Sequence, residues 1–290
     1  MKVVITGGTG FLGSALASSL RIDGHQIIII TRHPHVHDQA PWTDLPIVVE
    51  GADVVVNLAG DPLETGRWTK ARKTSILESR LKATEAVVTA MSKTSQRPGV
   101  FLNASAIGYY GARGTGAVTE ESPAGSDFLA SVCVAWEGAA MAAAWMTRVV
   151  LLRSGLVLDG TGGALPKLAL PFRFFAGGRV GSGDQYWSWI HRDDWVRMVR
   201  WTIENASIKG PLNLTAPGPV TNREFTDALA STLHRPALAP APAFALKLML
   251  GEMAEAMILN GQRVLPDKAE RGGFEFRYPD LDAALRHVYQ

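Results

Sequence analysis

The octapeptide Thr6-Gly7-Gly8-Thr9-Gly10-Phe11-Leu12-Gly13 constrains this chain more tightly than any other stretch. It follows a short run of β-branched residues, Val3 to Thr6, and precedes a segment in which Leu12, Leu16 and Leu20 recur at fourfold spacing. Those patterns predict strand, glycine turn and helix in direct succession. Glycines at 7, 10 and 13 permit a tight turn, close approach of a ligand to the backbone, and close packing of helix on strand. The free amides and the positive end of the helix dipole then favour a diphosphate. A dinucleotide site is therefore preferred over an ordinary strand-to-helix turn.

The same alternation continues. Gln26 to Thr31 carries four consecutive isoleucines without polar alternation, as expected of a strand covered on both faces. Asp53 to Leu58, Val100 to Ser105 and Arg148 to Arg153 read as further strands. Helices are expected over Thr69 to Lys93, where Ile76, Ala83, Val87 and Ala90 share a face, and over Ser126 to Met146. Three prolines between His33 and Pro46 shorten or remove the helix expected there. The order implies an α/β, Rossmann-type, doubly wound parallel sheet.

After Gly155 the alternation weakens into glycine-rich stretches at Gly160 to Gly163 and Gly177 to Gly183, then a proline-rich stretch from Pro236 to Pro242. Residues 1–158, completed by roughly 187–214, are expected to form the dinucleotide-binding domain. Residues 159–186 and 215–290 would form a smaller α+β substrate region. In it, Phe244 to Leu259 reads as one amphipathic helix, Gly272 to Tyr278 as extended, and Leu281 to His287 as helical.

Composition excludes several classes. Lysine plus arginine number 29 against 27 aspartates and glutamates, a net +2, which lacks the concentrated positive field of a nucleic-acid binder. The lone cysteine, Cys133, can form no internal disulfide, which points to a reducing, cytoplasmic setting. Met1-Lys2 leads straight into the first strand without the apolar stretch of a secretory signal, and is read as the mature start. Val149 to Leu158 falls well short of the roughly 20 apolar residues of a membrane span. No membrane partner is expected, and a homodimer is left open.

Cofactor choice is read at the end of the second strand. An NAD site usually places a carboxylate there for the ribose hydroxyls, but this chain has Thr31-Arg32. A guanidinium grips a 2′-phosphate through paired, charge-assisted hydrogen bonds, so NADP is preferred. Asn57-Leu58-Ala59-Gly60, ending the third strand, offers a small-residue turn for the adenine and ribose.

With these segments in order, together with Glu78-Ser79-Arg80, Ser105 to Gly111, Arg153-Ser154-Gly155, Gly181 to His191 and Gly251 to Tyr278, the chain resembles the atypical branch of the extended short-chain dehydrogenase/reductases. That branch is labelled NAD-dependent epimerase/dehydratase-like, or nucleoside-diphosphate-sugar epimerase. Leu250 to Met253, Gly261 to Pro266 and Gly273-Phe274 resemble its small C-terminal domain of unknown function. The resemblance implies that Gly7, Gly10, Phe11 and Leu12 hold the diphosphate, Thr31 and Arg32 the adenosine phosphate, and Leu58 and Ala59 the nucleoside. It adds Ser75, Arg80 and Arg153 as further cofactor contacts.

The same resemblance exposes a catalytic puzzle. Typical members use Tyr-x-x-x-Lys with an upstream serine, the lysine charge lowering the tyrosine pKa for proton transfer. Aligned on Glu137, this chain has Leu129 and Cys133 at those two positions, and Arg80 where many relatives have asparagine. Ser105 matches the upstream serine, as a ligand to a substrate oxygen or as a strand-end residue bonding the backbone. Tyr109 and Tyr110 are alternative proton donors or stacking residues. Cys133 reads as packing ahead of catalysis, because a free cysteine is commonly a small core residue. His191, within Trp187 to His191, reads as structural, and His33-Pro34-His35-Val36-His37 as a loop with no metal. Two functions stay open: an NADP-dependent oxidoreductase or epimerase acting on a small polar or sugar-like substrate, and a non-catalytic NADP(H)-binding sensor or interaction protein.

Overall fold

A computed structural model describes residues 1–290. Its centre is a seven-stranded sheet formed by β1 (Lys2–Thr6), β2 (Gln26–Thr31), β3 (Gln39–Pro41), β4 (Val54–Asn57), β5 (Val100–Ala106), β6 (Arg148–Ser154) and β7 (Gly210–Leu214). The spatial order is β7-β6-β5-β4-β1-β2-β3, and every pairing is parallel. The chain winds outward in both directions from β1, so the switch point lies between β1 and β4, where Thr6 registers with Asn57. In open sheets of this kind a ligand crevice opens at that point, beyond the carboxyl ends of the strands.

The strands are apolar on both faces because both are covered. Val3 and Ile5 join Val54, Val56, Leu102, Val150 and Leu152 in one core, under α1 (Phe11–Ile22) and, from later in the chain, the helix Arg192–Glu204. Their neighbours Val4, Val55, Phe101, Val149 and Leu151 enter the opposite core, under α2 (Leu45–Val49), α3 (Lys70–Ser92) and α4 (Phe128–Met141). A one-residue slip in any strand would exchange the two sets, so the alternation fixes the register. Ile76, Ala83, Val87 and Ala90 of α3 are all buried. Capping sets the helix starts: Thr69 accepts from Arg72 N at 3.2 Å, and Asp127 from Ala130 N at 2.8 Å.

Between β2 and β4 there is no full crossover helix. The proline-bearing stretch instead supplies the edge strand β3 and the five-residue α2, with Pro46 in its first turn, where a missing N–H is harmless. The edge strand had no sequence signal of its own.

A third core lies under the later elements α5 (Leu165–Arg173), α7 (Asn222–Leu233) and the terminal helix Leu281–Tyr289, with Trp189, Phe225 and Leu285 at its centre, while α6 (Arg192–Glu204) packs on the first core. One expectation for this region is corrected. Phe244 to Leu259 is not one helix: α8 (Ala243–Leu250) stops at Gly251, φ +63°, and a short helix and a π-type turn follow. A glycine in a left-handed conformation ends a helix that its flanking residues would continue. Gly272 to Tyr278 forms no strand. The buried Asp194 carboxylate holds it in place, accepting from Arg277 N at 2.9 Å and Tyr278 N at 2.7 Å. No helix is long and apolar enough to cross a membrane.

Candidate functional site

The glycine turn lies at the switch point, and its glycines are required by contact. A Cβ on Gly7, where φ is +70°, would lie 2.7 Å from the Leu58 carbonyl carbon and 2.9 Å from Ala59 N. A Cβ on Gly13 would run into the Gly7 carbonyl oxygen and lie 2.7 Å from Gly8 Cα. The two loops that leave β1 and β4 are thus pressed together, with Leu58 and Ala59 against Gly7. Gly10 precedes α1 with no side-chain cap, so its first-turn amides are left for another acceptor. The Phe11 ring packs on Gly162 and Gly163 and against the edge of the first core. That contact explains the glycine-rich start of the second region: a side chain at 162 would occupy the space of the Phe11 ring.

Polar side chains brace the strand ends. Thr6 Oγ1 donates to Asn57 Oδ1 at 2.5 Å, Asn57 Nδ2 donates to Asn103 Oδ1 at 2.7 Å and to Thr84 Oγ1 at 2.9 Å, and Trp136 Nε1 donates to the same threonine. All but the tryptophan are polar residues buried with partners, which fixes the ends of β1 and β4 and the middle of β5 relative to α3 and α4. Beyond β2, Thr31 Oγ1 accepts from His33 N, and Arg32 is exposed and forms no ion pair.

The Ser75 hydroxyl donates to Asp61 Oδ2 at 2.7 Å, and Arg72 Nη1 donates to the same oxygen at 3.2 Å. The Ser75 bond, followed by Arg72, outweighs partial burial and lowers the Asp61 pKa. Asp61, next to Gly60, therefore stands as a fixed negative charge that sequence reasoning did not single out. Arg80 is 9% exposed, bonds only the Ile76 carbonyl, and lies 5.1 Å from the Trp136 ring and against the Gly60 backbone. Burial lowers its pKa, and no carboxylate pairs with it.

A second buried network encloses Arg153, Tyr110 and Cys133. Arg153, 3% exposed, pairs with Glu137 through Nε to Oε1 and Nη2 to Oε2, both at 2.8 Å, and donates through Nη1 to the Tyr110 hydroxyl at 3.0 Å. Burial opposes its charge, but the bonds and attraction of Glu137 prevail and its pKa is raised. Arg153 is thus a buried internal partner of Glu137. Tyr110 is fully buried, its hydroxyl donates to Asn213 Oδ1 at 2.6 Å, and burial pushes its pKa up to about 12 despite Arg153. A phenol so enclosed and so weakly acidic is no proton donor to a cleft. Cys133 is buried beside Ala106, whose carbonyl lies 3.7 Å from Sγ, and burial followed by the Glu137 charge pushes its pKa up to about 12. A thiol buried in this way fits the packing role rather than a thiolate nucleophile.

Ser105 Oγ donates to Glu137 Oε1 at 2.6 Å, which ties it to the same network. Tyr109 remains half-buried, its ring covered by the Arg153 guanidinium at 3.5 Å. Leu129 packs in a small apolar cluster with Trp68, Ile76, Val132 and, from the far end of the chain, Leu250 and Met253. At the position where the resemblance expects tyrosine, then, the C-terminal region closes over aliphatic surface. Glu120 was also missed in the sequence: it accepts from the backbone of Asn213 and Lys268 and links this network to the C-terminal segment. His191 Nδ1 accepts from Asp193 N to cap α6, and its ring packs 4.0 Å from Tyr278.

Comparison with known proteins agrees with this architecture. Residues 3–214 match the model of the NAD dependent epimerase/dehydratase family, and residues 241–288 match a domain of unknown function, DUF1731. The chain is 44% identical over 304 residues to the chloroplastic epimerase family protein SDR39U1 homolog of Arabidopsis thaliana, covering 100% of this chain and 87% of that one. It is 41% identical to the epimerase family protein YfhF of Bacillus subtilis, covering 99% and 98%. The crystal structure of human epimerase family protein SDR39U1 (isoform 2) with NADPH superposes with a TM-score of 0.95 at 34% identity, covering 100% of this chain and 99% of that one. MoeE5 in complex with UDP-glucuronic acid and NAD shares the fold, with a TM-score of 0.79 at 20% identity. A parallel sheet opening at its switch point, a glycine turn pressed on the neighbouring loop and these matches place the chain in the NAD dependent epimerase/dehydratase family.

Proposed function

We propose that this protein binds NADP(H) at the carboxyl edge of the sheet and acts as an oxidoreductase or epimerase on a small polar or sugar-like substrate. The observation that carries the reading is the Gly7 cradle, where a Cβ would press on Leu58 and Ala59. The NADPH in the human relative supports it. The uncapped amides of α1, with Gly7, Gly10, Phe11 and Leu12, hold the diphosphate, and Leu58 and Ala59 border the nucleoside. Thr31 and the unpaired Arg32 receive the 2′-phosphate. The part of the chain that binds the cofactor is 1–158 with roughly 187–214, and the substrate lies against 159–186 and 215–290. Once bound, the cofactor supplies hydride transfer.

The chain's own residues then orient and neutralise. Arg80, buried and lacking a carboxylate, meets an anionic or developing negative oxygen in the cleft, where an unpaired charge is otherwise costly. Ser105, anchored by Glu137, positions a substrate oxygen. Tyr109 is the tyrosine left free enough to stack on substrate or pass it a proton. A second reading, an NADP(H)-binding sensor, is favoured by one observation: aliphatic Leu129 and the protonated Cys133 occupy the tyrosine and lysine positions.

Two measurements test this. Arg32→Asp replaces a charge-assisted hydrogen bond worth roughly 1.5–3 kcal/mol with repulsion. The NADPH-to-NADH affinity ratio should fall by about 10-fold to 100-fold. An unchanged ratio refutes the 2′-phosphate assignment. NADPH consumption with a panel of carbonyls and sugar nucleotides separates the two readings, since binding without any turnover favours the sensor.

A further inference from the structure

The glycine turn shares a cleft with an ion pair. The cleft, about 320 Å³, is lined by Gly8 and Thr9 of the turn, by Ile29 of β2, and by Arg21 and Asp38, the only ionisable residues in its walls. Arg21, in the last turn of α1, donates through Nη2 to Asp38 Oδ2 at 2.5 Å, and both side chains keep contact with solvent. The sheet places Asp38 independently of this bond. Its carbonyl accepts from Ile29 N at 2.8 Å, and the next residue, Gln39, registers with Ile29 where β3 joins β2. At the rise of a strand, Asp38 therefore lies about 7–10 Å along β2 from Thr31, the residue before Arg32.

We propose that Arg21 is a specificity-determining residue that acts through Asp38: by neutralising that carboxylate it leaves the end of β2 able to accept the 2′-phosphate of NADP(H). The inference rests on the assignment of that phosphate to Thr31 and Arg32. A bare carboxylate near this strand end is the device by which NAD sites hold ribose hydroxyls and turn a phosphate away. Here Asp38 is the first carboxylate after β2, and it is cancelled from α1 rather than absent. The effect falls on one cofactor. NADPH and NADH differ only in the 2′-phosphate, with its charge of about −2, so an uncovered Asp38 repels the first and is indifferent to the second. At roughly 10 Å in a wet cleft, that repulsion weakens NADPH binding about threefold to tenfold at low salt, and it fades once the screening length drops below the separation.

The test is the ratio of NADPH to NADH affinity, from fluorescence titration of the full-length protein at about 20 mM salt. Arg21→Gln keeps a side chain able to hydrogen-bond Asp38 and removes its charge, so the ratio should fall about threefold to tenfold. Arg21→Gln with Asp38→Asn removes both charges and should return the ratio to within about twofold of the parent. Raising the salt to about 0.5 M should erase most of the loss in the single variant. The proposal is overturned if Arg21→Gln moves the ratio by less than about twofold, or if the double variant stays as low as the single, which makes the pair a tether for the loop. Arg32→Asp, measured alongside, keeps the two failures apart: an unchanged ratio there removes the 2′-phosphate assignment, whereas a fall there with none in Arg21→Gln refutes Arg21 alone.

Discussion

Neutralising Glu137 gives the sharpest test of the buried network. Glu137→Gln keeps the shape of the side chain and removes the charge that balances Arg153. The pair is almost dry, at 8% and 3% side-chain exposure, and both of its bonds are 2.8 Å long. The amide also turns a donor toward Arg153 Nη2, where the carboxylate had accepted. Breaking a buried pair from one side typically costs about 3–5 kcal/mol, because the remaining charge is left without a partner. With a urea slope near 3 kcal/mol per M, the midpoint of unfolding should fall by about 1–2 M. Glu137→Leu with Arg153→Met removes both charges and should be roughly 2 kcal/mol less damaging than the single change, although Ser105 and Tyr110 lose partners. Urea titrations followed by circular dichroism give both values. A single variant within about 1 kcal/mol of the parent, or a double variant that is no better than the single, refutes the account of Arg153 as a charge balanced internally.

Other outcomes follow from the same geometry. Gly7→Ala places a methyl group 2.7 Å from the Leu58 carbonyl carbon at φ +70°, and should weaken NADPH binding at least about tenfold while the fold is retained; fluorescence titration that finds an unchanged affinity contradicts the cradle. Cys133, raised from 9.0 to about 12, should react with iodoacetamide at pH 8 about a thousandfold more slowly in the folded protein than in urea; comparable rates would show an accessible thiolate. Burial lowers the His191 pKa below 6.5, so the unfolded chain takes up the proton first and stability falls as pH drops through and below 6.5. Protonation also removes the Nδ1 lone pair that caps α6. His191→Asn, a neutral cap, should flatten the fall in melting temperature between pH 7 and 5, and an unaltered slope assigns it to other groups.

The sheet could be read from residues because its signals are local. Uninterrupted β-branched runs at Val3 to Thr6 and Gln26 to Thr31, glycines set by a turn, and a fourfold leucine spacing each report on their own neighbourhood. The helix over Lys70–Ser92 begins within a residue of the expected position because Thr69 caps it. What escaped was set by partners distant in sequence. Nothing near Tyr110 indicates that Asn213 and Arg153 will enclose its hydroxyl, so a tyrosine at a strand end looked available for chemistry. Arg153, which the resemblance offers as a cofactor contact, is held by Glu137, sixteen residues upstream, a pairing that nothing in its own neighbourhood announces. The apolar run from Phe244 to Leu259 carries a helical period throughout, and only the left-handed backbone at Gly251 divides it. Asp61 and Glu120 sit in loops, where an acidic residue normally signals nothing beyond solvation.

The seventh strand has a consequence for how this chain matures. Gly210–Leu214 pairs with Arg148–Ser154, so more than fifty residues separate the final strand from the neighbour it needs. Phe274, later still, helps to fill the core on one face of the sheet. During synthesis the nascent sheet would present Arg148–Ser154 as a bare, apolar edge until that late material leaves the ribosome, a state open to pairing with other chains. A fragment ending at Leu158 would be held in that vulnerable condition permanently and should aggregate, however complete its glycine turn.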